Sequence, residues 1–108
     1  MKLEEMFWHE TEKKMAEEII KKLKTTNARK GIKKPDMEIY LRDTLQTTYI
    51  FHCIEWVINK LREEKYVKRK KFTLKDFKED LKERHYPPLE IPRYYLTRKG
   101  ERLYNKIC

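Results

Sequence analysis

Residues 46–69 read QTTYIFHCIEWVINKLREEKYVKR, and this stretch decides the fold. Ile50, Ile54, Val57 and Leu61 recur at i, i+4, i+7 and i+11, which at about 100° per residue puts them on one stripe of a helix. That stripe must face a core. Thr47 can accept a hydrogen bond from a free amide of the first turn, and the basic residues around Lys60 and Lys65 suit the negative end of the helix dipole. The opposite side carries Thr48, His52, Glu55, Trp56 and Asn59, a set too polar for a core and able to meet a partner.

Working outward toward the amino terminus, residues 35–45 form a shorter helix. Pro35 suits its first position and Asp36 and Glu38 put negative charge in its first turn. Its inward set is Met37, Tyr40, Leu41 and Thr44. Only Gln46 separates it from the long helix, so the pair reads as a helix-turn-helix, with a plain helical hairpin as the alternative. Residues 25–34 are a basic connector. Residues 1–24 form a first helix with Trp8, Met15, Ile19 and Leu23 on one face, widened by Ala16 and Ile20. Phe7 and Trp8 near its start suit either core packing or a dimer contact.

On the carboxyl-terminal side, Tyr66, Val67 and Phe72 flank a Lys and Arg run, and from Ile91 the chain reads IPRYYLTRKGERLYNKI, with strand character through Tyr94, Tyr95 and Thr97. Two strands leaving and returning after the long helix make a wing. Between them Thr73 precedes Asp76 by three residues, the pattern of a capped helix start, and Leu74, Phe77 and Leu81 follow at i, i+3 and i+7. A short helix is therefore inserted in the wing. Its apolar stripe is expected against Phe51 and Trp56 of the long helix, or against a second subunit.

The segments INKLREEKYV (residues 58–67) and RYYLTRKGERL (residues 93–103) together resemble winged helix-turn-helix regulators of the PadR and MarR kind. In those families the second wing strand commonly reads Tyr-x-Leu-Thr-x-x-Gly, matched by Tyr94 to Gly100. The chain is also similar in size and Lys-rich composition to small archaeal and archaeal-virus winged-helix proteins. The resemblance, over about residues 10–107, implies a mainly α fold with a small β wing, and the length of 108 residues suits one domain over residues 1–108. One departure is Lys65, which stands where the families usually have the glycine of a left-handed helix cap.

Charge points to the partner. Net charge is +9, and it is patterned: residues 21–34 hold seven basic side chains and no acid, residues 65–72 hold five and no acid, and residues 1–20 net −3. The 13 aromatic residues within 39% apolar composition argue for a folded domain rather than a basic tail. A polyanion, nucleic acid first, is the expected partner. Two cysteines, Cys53 and Cys108, build neither a disulfide framework nor a four-cysteine zinc site. No apolar run reaches membrane-spanning length, and the expected location is the cytoplasm, that of a host cell if the chain is viral.

Catalysis is not expected. The chain has no serine, no Gly-rich phosphate loop and no HExxH pair, and nothing suggests a cofactor or metal. The expected function is sequence-specific binding of double-stranded DNA by a homodimeric transcriptional regulator. Thr47, Thr48, Tyr49, His52 and Asn59 are the candidates on the long helix, and Lys68, Arg69, Lys70, Lys71, Arg93 and Arg98 are those of the wing. The alternative is a winged-helix scaffold that binds an acidic protein in a replication or transcription complex, for which exposed Trp56 and Phe51 would serve.

Overall fold

The long helix is α4, Ile50–Glu63, and its stripe is the centre of the core: Ile54, Val57, Ile58 and Leu61 are all at most 1% exposed. The computed structural model describes residues 3–7, 9–46, 50–82 and 91–108, apart from the side chains of Glu4, Ile50, Phe51 and His52. Around α4 lie α1 (Leu3–Met6), α2 (Glu10–Leu23), β1 (Ile32–Lys33), α3 (Lys34–Leu45), β2 (Val67–Arg69), α5 (Leu74–Lys82), β3 (Arg93–Leu96) and α6 (Arg98–Ile107). The molecule is mainly helical, with a small antiparallel sheet in the order β1-β3-β2.

Where one helix was expected there are two, α1 ending at Met6 and α2 beginning at Glu10. In an unbroken helix Leu3, Met6 and Phe7 would point roughly 150° away from the stripe formed by Met15, Ile19 and Leu23. The break turns them back, and all three are buried. Phe7 meets the ring of Trp56 edge-on at 5.7 Å, so it is covered within the chain rather than left for a dimer. α3 begins at Lys34, one residue before the expected Pro35 start, and buries Met37 and Leu41, while its Tyr40 hydroxyl donates to Glu18 of α2 at 2.9 Å. Thr44, expected inward, is exposed.

Two elements were not expected. β1 lies inside the basic connector and pairs Ile32 with Tyr94 and Lys33 with Arg93. α6 follows β3 directly, because Thr97 is not part of the strand but the N-cap of a helix: its hydroxyl accepts from the Gly100 amide at 3.0 Å. The same hydroxyl donates to the Lys65 carbonyl at 2.6 Å, and the Thr97 amide donates to the Tyr66 carbonyl at 3.1 Å. A Cβ at Gly100 would stand 2.1 Å from that Tyr66 oxygen. The segment Tyr94-x-Leu96-Thr97-x-x-Gly100 therefore locks the end of β3 and the start of α6 onto the turn that follows α4.

That turn closes α4 without glycine. The Tyr66 amide reaches the Leu61 carbonyl and the Lys65 amide reaches Arg62, the two bonds of a Schellman motif, with Lys65 itself at φ 65°. Lys99 adds a cation at the same helix end, its Nζ 2.8 Å from the Glu64 carbonyl.

Candidate nucleic-acid interface

Strand alternation sorts the wing residues into two faces. Pairing Val67 with Leu96, Arg69 with Tyr94 and Ile32 with Tyr94 puts these side chains on the face toward the helices. Pairing Lys68 with Tyr95 and Lys33 with Arg93 puts those on the outer face, joined by Lys70, whose amide bonds the Arg93 carbonyl at 2.7 Å. The outer face is thus strongly basic, and α5 lies on it.

α5 docks through its acidic side, so its apolar stripe does not pack on the long helix. Its start is the predicted capping box: the Asp76 amide donates to the Thr73 hydroxyl at 3.2 Å and the Thr73 amide to the Asp76 carboxylate at 3.1 Å. The inward residues, however, are Asp76 and Asp80, at 5% and 4% exposure, while Leu74 and Leu81 are exposed. Arg93 grips Asp80 through both terminal nitrogens and lies 3.6 Å from Asp76, Lys70 hydrogen-bonds Asp76, and Lys33 reaches Asp80 at 3.8 Å. Charge complementarity to the basic sheet face outweighs the burial of two leucines, because three cations left under a helix without acids would be uncompensated.

Burial alone would push the Asp76 carboxyl upward, but the hydrogen bonds from Lys70 and Thr73 and the charge of Arg93 hold it below the ordinary carboxylate value. Burial likewise works against the Arg93 charge, and Asp80 and Asp76 more than compensate.

The expected site is therefore divided. Arg93, 4% exposed, and Lys70, with a side chain 9% exposed, are structural members of this ion network and are not presented to a duplex. Asn59, Lys68 and Arg69, all exposed, come together with Arg62 around a cleft of about 570 Å³ where the last turn of α4 meets β2. Lys71 is exposed on the far side of the wing, beside α5. Arg98 is exposed at the start of α6, at the opposite end of β3 from Arg93. Glu55 and Trp56 share the exposed face of α4 with Asn59, as expected, and Lys34 reaches Glu55 at 3.5 Å. Thr47, Thr48 and Tyr49 and the side chain of His52 lie outside the described residues, as does Trp8.

A second cleft was not foreseen. It measures about 1,140 Å³ and lies between the 25–31 connector, the outer sheet face and the start of α5. A signal for it was present in the sequence: the basic connector contains an Asx turn in which Asn27 Oδ1 accepts from the amides of Arg29 and Lys30 at 3.0 and 3.1 Å, and both long side chains are exposed. Among the described residues no three of His, Cys, Asp and Glu converge as metal ligands, and no helix is long and apolar enough to cross a membrane. Comparison of the chain with protein-family models, with curated proteins and with solved structures found no match.

Proposed function

We propose that this chain is a winged helix-turn-helix protein that binds double-stranded DNA sequence-specifically, as a homodimeric transcriptional regulator. The observation that carries the reading is the meeting of Asn59, Lys68 and Arg69 in one exposed cleft, so that a helix face and a basic edge strand stand side by side. The order helix, strand, two helices, then two wing strands, with β3 between β1 and β2, supports it because this arrangement backs α4 with a rigid sheet. α4 would read base edges and β2 would hold phosphates.

The test is discrimination. Asn59→Ala should narrow the affinity gap between a selected site and random duplex by the roughly 1–3 kcal/mol of a base contact, with little loss of nonspecific affinity. Equal loss from both would remove α4 as the reading element.

Trp56 favours a second reading, a scaffold for an acidic protein partner. It is 50% exposed on the same helix face despite its contact with Phe7. A chain that binds no duplex at low salt, yet loses a protein partner on Trp56→Ala, would belong to this class.

A further inference from the structure

The 25–31 cleft opens on the outer face of the sheet, whereas α4 packs against the inner one, where Arg62 stands 6.0 Å over the Tyr94 ring. It shares no lining residue with the cleft of Asn59, Lys68 and Arg69, although Lys68 stands beside Tyr95 on that outer face. Among the described residues eight basic side chains line it against three acidic ones. Arg93, Lys33 and Lys70 at its floor are matched by Asp76 and Asp80, but Arg29, Lys30, Lys71 and Lys75 around the rim are exposed. The potential of the cleft is therefore positive, and concave walls concentrate it.

Its size and its one aromatic residue among the described lining residues indicate the kind of anion. The volume exceeds the roughly 300–1,000 Å³ of small-molecule sites. Tyr95, partly buried on the outer face of β3, is the aromatic side chain among the lining residues. A cationic groove with an aromatic side chain in its wall is the arrangement that takes a single nucleic-acid strand, phosphates against the cations and an unstacked base against the ring. A duplex keeps its bases stacked inside and offers none to Tyr95.

We infer that this cleft is a binding site for a single nucleic-acid strand, with Arg29, Lys30 and Lys75 on the phosphates and Tyr95 stacking a base. The inference does not rest on the duplex reading. One chain would hold a duplex at α4 and a strand in the 25–31 cleft, as at the edge of an opened or transcribed region.

The experiment is fluorescence anisotropy with labelled oligothymidylate of about 12 nucleotides, a length within the roughly 4–16 nucleotides of single-strand sites. Arg29→Glu with Lys30→Glu should weaken strand binding at least about tenfold at about 50 mM salt, because two phosphate contacts become repulsive. Both side chains are exposed, and the turn is held by backbone amides, so the fold is retained. Lys75→Glu, on a different element, should act in the same direction. Tyr95→Leu should weaken strand binding about fivefold or more, as loss of a stacking platform does. Duplex affinity should stay within about twofold for these variants, since none of the lost contacts is to a duplex. Absence of strand binding by the wild type, or strand binding unaffected by both charge reversals, would overturn the site. Tripolyphosphate competing as well as the oligonucleotide, with Tyr95→Leu silent, would make it a small phosphate site and overturn the strand assignment.

Discussion

The Arg93 guanidinium meets the Asp80 carboxylate end-on, Nη2 to Oδ1 at 2.7 Å and Nη1 to Oδ2 at 3.3 Å, with both residues at 4% exposure. This bidentate pair pins α5 to the sheet. Arg93→Ala leaves Asp76 and Asp80 with only Lys70 and Lys33, so stability should fall by about 3 kcal/mol, in the range for breaking a buried pair. Arg93→Lys should recover little of it, because a point charge cannot span both carboxylate oxygens. Chemical denaturation measures both. A loss below about 0.5 kcal/mol would mean that α5 is held by something else.

Asp76 links this network to pH. Its folded pKa lies below the ordinary value of 3.8. A carboxylate depressed on folding contributes stability that is fully present above the unfolded value and is lost as pH falls through the folded one. Stability should therefore be level in this contribution from neutral pH down to about 5, then decline below about 4. Asp76→Asn should lower stability at neutral pH and flatten the acid limb. Denaturation midpoints measured from pH 2 to pH 7 for both proteins, about one unit apart, would show it; parallel curves would contradict the assignment.

Gly100 tests the joint between β3, α6 and the end of α4. A methyl there would have to displace the Tyr66 backbone, since its carbonyl lies 2.1 Å from the Cβ position. Gly100→Ala should cost about 3 kcal/mol from overpacking, although alanine is the better helix former. Thr97→Ala, which removes the cap alone, should cost about 1 kcal/mol. If Gly100→Ala stabilised the protein, the close approach would be wrong.

Lys65 offers the opposite sign. At φ 65° it carries the strain of a left-handed side chain, and Lys65→Gly should stabilise by about 1 kcal/mol as the Schellman turn relaxes. The same change at Lys68, in β2, should destabilise. Thermal midpoints of the two variants, read against the wild type, distinguish them by direction.

These residues also show where sequence reasoning held. The stripe of Ile54, Val57 and Leu61, the start of α3 to within one residue of Pro35 and the Thr73 cap of α5 were legible because each is a local pattern with a local cause. β1 was invisible, since two residues cannot display an alternation. α6 was hidden by Tyr94 and Tyr95: their strand character was carried one residue too far, past the Thr97 cap and over the helical spacing of Leu103, Tyr104 and Ile107. The orientation of α5 and the structural role of Arg93 depend on what lies across the sheet. Composition marked Arg93 as a cation available to phosphate, and only the pairing of Lys33, Lys70 and Arg93 on one face shows why two aspartates must come down on it. The exposure of Asn59, Lys68 and Arg69 was legible from a polar helix face and a basic run; their meeting in one cleft was not.

The central claim, duplex binding by α4 and β2, is tested most directly by the salt dependence of affinity for a random duplex of about 30 base pairs between about 50 and 200 mM salt. The account predicts a log–log slope of several negative units, about −0.9 for each phosphate neutralised, and a slope shallower by about one unit in Lys68→Glu. A wild-type slope near zero, or no binding at the lowest salt, would contradict it.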